Sequence, residues 1–270
     1  MFKSTFFNTE EIELFCKATA DENPIHTSNF MHSIGKQVVV PGMFLFSKII
    51  NMLFEQTTIC FNAFKVLFGN IVEANEEVEL GFEACPNNSS IQYLSAINEH
   101  DSFAIKNERS SAFVANNVSK PVLNEGVIRK IKFAGKQKEI FSRLIGCTKN
   151  ALNDFLFAIA YASPVLLKSI HEPLTDIERE INNLIDKTAN PNAASPFYQS
   201  LEILRSDQSI TLPNEGEIDY NIQFEREKYN RTYVANVDCE FDSKTLFQSK
   251  YRLIAIPEKL MLRMVKDLKI

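Results

Sequence analysis

The sequence has no tryptophan and only 8 glycines in 270 residues. It contains neither G-x-G-x-x-G nor G-x-x-x-x-G-K, which excludes the glycine loops that cradle phosphate in nucleotide sites. Its 5 cysteines, Cys16, Cys60, Cys85, Cys147 and Cys239, form an odd set without C-x-x-C spacing, mostly among apolar neighbours. They read as reduced core thiols, not as metal ligands or a disulfide framework. A dominant positive charge is missing too. The formal net charge is -5, and lysines and arginines are scattered singly among acids, so no basic stripe exists to neutralise a phosphate backbone and no nucleic-acid partner is expected. No N-terminal stretch combines a basic start, an apolar run and a small-residue cleavage site, and no run approaches the roughly 18 apolar residues of a membrane span. The expected location is cytoplasmic, with no membrane association.

What is present is the composition of a packed protein: 45% hydrophobic and 23% charged residues, with 22 phenylalanines that point to an aromatic core. Asn8 followed by Glu11 fits a capping box, and Ile12, Phe15, Cys16 and Thr19 recur at helical spacing, which predicts a helix from Thr9 to about Ala20. Pro24 cannot extend it. From Gly42 to Glu55 the sequence GMFLFSKIINMLFE keeps Ser47, Lys48, Asn51 and Glu55 on one narrow stripe, so this helix must be wrapped on most of its circumference. Val78, Leu80, Phe82 and Ala84 then alternate with polar residues or glycine, and further strands are predicted near Ile91 to Ile97 and Phe103 to Val114. A greasy helix followed by antiparallel strands is the pattern of a sheet curled round a helix.

The stretch Val118 to Gly126 lacks periodicity and marks a boundary, giving units 1–122 and 123–270. The order then recurs. Leu152, Phe155, Leu156, Ile159 and Ala160 mark a second apolar helix that Pro164 is expected to kink or end, and Ile177, Ile181, Leu184 and Ile185 mark an inserted amphipathic helix. Strands are predicted through Ile218 to Phe224, Tyr233 to Phe241 and Leu246 to Ile256.

One constellation carries chemistry. Ala20 to His26, ADENPIH, sets an acid and an imidazole five residues apart across an Asn-Pro turn that can aim both at one point. FCKATADENPIHTS followed by VVVPGMFLFSKI resembles the MaoC-like (R)-specific enoyl thioester hydratases through Asp21, Asn23, Pro24, His26 and Gly42. FGNIVEANEEVEL, Phe68 to Leu80, is similar to the next strand pair of that family, so the resemblance runs through the first half of the chain. Two positions depart from it: Ala20 stands where the family usually has glycine, and Pro41 where it commonly has histidine.

The resemblance implies an α+β fold, a tandem double hot-dog with antiparallel sheets each wrapped round a central apolar helix. The first unit would carry the catalytic motif, and the second would be degenerate and shape the acyl pocket. It implies that Asp21 and His26 hold a water that adds to C3 of a trans-2-enoyl thioester, that the backbone N–H of Gly42 receives the thioester oxygen, and that Asn23 supports the loop. The substrate would be carried by coenzyme A or acyl carrier protein, and the chain would be a monomeric pseudo-dimer or a homodimer. No cofactor and no metal is expected. The alternatives are a non-catalytic hot-dog subunit or acyl-carrier binding module, and a hot-dog thioesterase. His32, His100 and His171 lack an acid or nucleophile at a recognisable spacing and read as surface or loop histidines.

Overall fold

The computed structural model describes residues 2–56, 63–68, 71–84, 91–95, 111–114, 126–148, 150–170, 194–206, 210–226, 232–257, 260, 263–265 and 267. The inserted helix predicted at Ile177 to Ile185, Cys60, Cys85, His100 and His171 lie outside these residues, as does most of the boundary stretch 118–126.

After strand β1 (Phe2–Phe6), the chain enters α1 (Thr9–Thr19) through the expected capping box: Asn8 Oδ1 accepts the Glu11 N–H at 2.8 Å, and the Glu11 carboxylate accepts the Asn8 N–H at 3.3 Å. Ile12, Phe15, Cys16 and Thr19 are buried, as their spacing requires. A 3-10 turn (Pro24–His26) and a short helix α2 (Ser28–Ser33) follow, and α3 spans Gly42–Gln56. Strands β2 (Ala63–Leu67), β3 (Glu77–Ala84), β4 (Ile91–Ser95) and β5 (Ser111–Val114) complete the first series.

The second series repeats the order: β6 (Val127–Phe133), α4 (Gly135–Ile145), α5 (Asn150–Ile170), then β7 (Ala194–Arg205), β8 (Gly216–Arg226), β9 (Thr232–Phe241) and β10 (Lys244–Pro257). The ten strands among the described residues form one antiparallel sheet in the order β1-β3-β4-β5-β2-β7-β10-β9-β8-β6. The two halves of that order are mirror images by position in the series, and they meet where β2 pairs with β7, from Ala63↔Leu204 to Leu67↔Ser200. Asp242 and Ser243 both take positive φ, 51° and 58°, which matches the two-residue hairpin joining β9 to β10.

Helix α3 packs against α5, α4 and β3, and α5 packs in turn on α1, α4, β8 and β10. Even part of the polar stripe of α3 is enclosed: Ser47 and Asn51 are buried, and Asn51 Nδ2 donates to Glu55 at 3.1 Å and to the Ile145 carbonyl. The interior is aromatic, with Phe15 stacked on Phe44 at 4.5 Å, Phe7 meeting Phe44 edge-on at 4.9 Å and Phe64 stacked on Phe155 at 6.2 Å. The three described cysteines, Cys16, Cys147 and Cys239, are free and buried.

Pro164 does not end α5, which continues from Asn150 to Ile170 with the proline inside it. The lost backbone hydrogen bond costs about 3 kcal/mol. Burial of Leu156, Phe157, Ile159, Tyr161, Val165 and Leu166 on both sides of the proline outweighs it. Among the described residues α5 is also the one helix long and apolar enough to cross a membrane, yet 83% of that apolar window is buried inside the protein.

Candidate active site

Asp21 leaves α1 through an unusual cap. Ala20 takes the left-handed conformation, φ 55° and ψ 33°, and the Asp21 N–H folds back onto the Cys16 carbonyl at 2.9 Å. This turn aims Asp21 inward, where its side chain is 9% exposed. One carboxylate oxygen, Oδ1, accepts the Asn23 N–H at 3.0 Å, so the acid is held by backbone two residues on. The Asn23 side chain accepts the Ile25 N–H at 3.4 Å and caps the 3-10 turn that Pro24 opens. Asn23 thus orients the acid with its backbone and braces the loop with its side chain.

The turn delivers His26, which is buried. Its Nδ1 lies 2.7 Å from the Val39 carbonyl, and the Val39 N–H donates to the Ile25 carbonyl at 3.0 Å. A carbonyl only accepts, so Nδ1 carries the hydrogen and Nε2 of the neutral ring presents a lone pair. Nε2 lies 4.0 Å from Asp21 Oδ2. That is too long for a direct hydrogen bond, and it is the spacing at which both atoms can contact one water about 2.8 Å from each.

Val39 also links this pair to α3. The strap containing it is fixed by the Val40 N–H to the Val72 carbonyl (2.8 Å) and by the Ala74 N–H to the Val38 carbonyl (2.8 Å), and it enters α3 three residues later at Gly42. Three residues of chain reach at most about 11 Å, so the helix start is tethered close to the imidazole. The first helical N–H groups have no partner within their own helix and lie at its positive end, where developing negative charge is stabilised. Glycine at 42 also leaves room for a neighbour: a Cβ there would lie 2.7 Å from Cε1 of the half-buried Phe68 and would displace that ring.

Burial, then the charges of Asp21 and Glu13, push the neighbouring Cys16 thiol well above its ordinary range, so it stays protonated and is no nucleophile. His32 is exposed on α2, as its isolation in the sequence suggested. The second series has no counterpart of this loop. Between α1 and α3 lie residues 20–41, but between α4 and α5 only residues 146–149, Gly-Cys-Thr-Lys, with neither acid nor imidazole. Several residues around the site were invisible in the sequence: Val39 as the histidine's acceptor, Phe68 against Gly42, and the buried Glu73, which bridges to Val39. Each is brought in by tertiary pairing of distant segments. Among the described residues, no group of three or more His, Cys, Asp or Glu side chains is placed to hold a metal.

This architecture has solved counterparts. The peroxisomal multifunctional enzyme type 2 of Drosophila melanogaster superposes with a TM-score of 0.56 over 94% of this chain and 48% of its own, at 10% identity. A MaoC-like dehydratase from Phytophthora capsici superposes with a TM-score of 0.53 over 96% of this chain and 95% of its own, at 7% identity. The chain has the hot-dog fold of the MaoC-like dehydratases. The tesB protein of Mycobacterium avium subsp. paratuberculosis is similar at a TM-score of 0.48 and 8% identity, over 82% of this chain and 91% of its own. The sequence itself matches no protein-family model and no curated protein.

Proposed function

We propose that this chain is a MaoC-like hydratase/dehydratase that interconverts trans-2-enoyl and (R)-3-hydroxyacyl thioesters of coenzyme A or acyl carrier protein. In this reading it is a tandem double hot-dog, with unit 1–122 carrying the chemistry and unit 123–270 completing the enclosure. The observation that carries the proposal is the pair of Asp21 and His26, 4.0 Å apart, with the imidazole tautomer set by Val39.

In the hydration direction a water bridging Asp21 Oδ2 and His26 Nε2 attacks C3. Its proton passes to this pair, and the electrons of the C2–C3 double bond move into the thioester carbonyl. The negative oxygen so formed is received by the N–H of Gly42 at the positive end of α3, a donor already in place before charge develops. The proton held by the pair is returned to C2 as the carbonyl re-forms, so acid and base are regenerated. Pro41 offers no polar side chain beside this oxygen, which leaves the backbone donor to carry the stabilisation. The mirrored strand order and the repeated element series support the tandem reading, and the short 146–149 connection supports one reaction centre per chain.

Product analysis after incubation with crotonyl and longer enoyl thioesters, on both carriers, tests the proposal. A 3-hydroxyacyl thioester is expected. A free thiol would show hydrolysis at the thioester carbon, and no product on either carrier would leave a binding subunit.

A further inference from the structure

Two aromatic residues adjoin the start of α3. Phe68 lies against Gly42, with Cε1 and Cδ1 at 2.7 and 2.8 Å from where a Cβ would be. Its N–H is fixed by the Gln199 carbonyl at 3.0 Å, and its ring sits 6.2 Å from that of Tyr198 on β7, tilted by 49°. Tyr198 is itself held: its hydroxyl donates to the Ser163 carbonyl at 3.0 Å and accepts from Ser163 Oγ at 3.1 Å, and its ring lies 5.5 Å from that of the buried Tyr251.

Ser163 belongs to α5, the helix that also places Lys168 Nζ 3.3 Å from Glu22, the residue after Asp21. The second series therefore runs alongside the Asp21 loop, and the ring pair has Gly42 at one end and that loop near the other. The electrostatics agree: burial first, and after it the charge of Asp21, raise the Tyr198 phenol against the opposing hydrogen bond from Ser163.

We propose that Phe68 and Tyr198 set the size limit of the acyl group, so that the site takes short trans-2-enoyl thioesters and excludes long ones. The inference rests on the hydratase reading above. In this inference a thioester with its oxygen at Gly42 lies against Phe68, and its carbons beyond C3 run along the ring pair of Phe68 and Tyr198. Behind α3 the interior is filled by further rings, Phe46 meeting Phe64 at 6.1 Å and Phe64 meeting Phe155 at 6.2 Å, all but enclosed. Interiors packed in this way admit added methylenes only by displacing side chains. Both residues are half-buried, but Tyr198 is pinned at its ring and its hydroxyl, so Phe68 is the side to open by mutation.

The test is kcat/KM for crotonyl-, octenoyl- and dodecenoyl-CoA with the intact protein, Phe68→Ala and Phe68→Leu, with melting curves to establish that each variant is folded. The intact protein should lose about tenfold or more from crotonyl to dodecenoyl. Phe68→Ala should flatten or reverse that profile, with Phe68→Leu between. Equal activity on all three lengths in the intact protein would overturn the size limit and leave the hydratase reading standing. So would an unchanged profile in folded Phe68→Ala. Calorimetric binding of butyryl-CoA against dodecanoyl-CoA separates the two ideas if nothing turns over. A short-chain preference relaxed by Phe68→Ala sustains the size limit without hydration, and its absence removes both.

Discussion

Lys138 on α4 meets Asp154 on α5 at 2.7 Å, with the two side chains only 13% and 2% exposed. The same carboxylate accepts the Leu212 N–H at 2.8 Å, and the ammonium donates to the Leu212 and Pro213 carbonyls at 2.6 and 3.0 Å. Two helices and the stretch leading into β8 are thus clamped by one pair. Asp154→Ala strands a buried ammonium and a buried amide, and should cost about 3–5 kcal/mol of stability by urea unfolding. Replacing both members, Lys138→Met with Asp154→Leu, should recover the part of that loss due to the unpaired ammonium and leave the cost of the unbonded Leu212 amide. A single-variant loss below about 1 kcal/mol would mean that the pair is solvated.

Ala20 holds a left-handed cap, and the corresponding cap after α4 is Gly146, at φ 77°. A β-carbon in this conformation costs roughly 1–2 kcal/mol, partly offset by the greater freedom glycine has when unfolded. Ala20→Gly should therefore stabilise the protein by about 0.5–1 kcal/mol, a rise of about 2 °C in melting temperature. A lower melting temperature would show that the Ala20 methyl contributes more by packing than its conformation costs.

Glu13 joins α1 to the segment after His26 by accepting both the hydroxyl and the amide hydrogen of Ser28. The Ser28 side chain first, then the Ser28 amide, hold this carboxyl below its ordinary value against the cost of burial, with smaller help from Lys17 and His32. A depressed folded-state value means that the contribution is complete above the unfolded value and is lost as pH falls through the folded one. The stability difference between the intact protein and Glu13→Gln should be steady from neutral pH to about 5 and shrink below about 4. Melting temperatures across that range check it, and a difference unchanged in acid would assign the effect to the side chain's shape.

His26→Ala and Asp21→Asn should each lower kcat for crotonyl-CoA hydration by about 10²–10⁴-fold, because acid-base assistance belongs to the transition state. KM should stay within about threefold in steady-state assays, since neither group is asked to bind the ground state. Unchanged turnover in His26→Ala would end the proposed mechanism.

Segments whose local signals agreed with their packing were legible in the sequence: the capping box of α1, the greasy α3, and the alternation of β8 through β10. Others were not. In α4 the buried face is only Phe141, Leu144 and Ile145, and its start is capped by Gln137 reaching back to the Ala134 N–H, a weak sequence mark. Pro196 argues against a central strand, yet β7 is central. The conflict resolves because β2 covers only Ser200 to Leu204, leaving the proline in a stretch where β7 is an edge on that side. In the site, Asp21, Asn23 and His26 were legible because seven consecutive residues hold them. Phe68 and Tyr198 were not, since only the pairing of β2 with β7 brings them together.

That pairing also bears on how the chain reaches its native state. Residues of β2 find partners about 140 positions further along, so the seam has a high contact order and must wait until about three quarters of the chain is available. Each half can close most of its own strand ladder earlier through nearer neighbours. Joining them is then the slow, late event, and until it happens the exposed flanks of β2 and β7 are free to pair with another copy of either half.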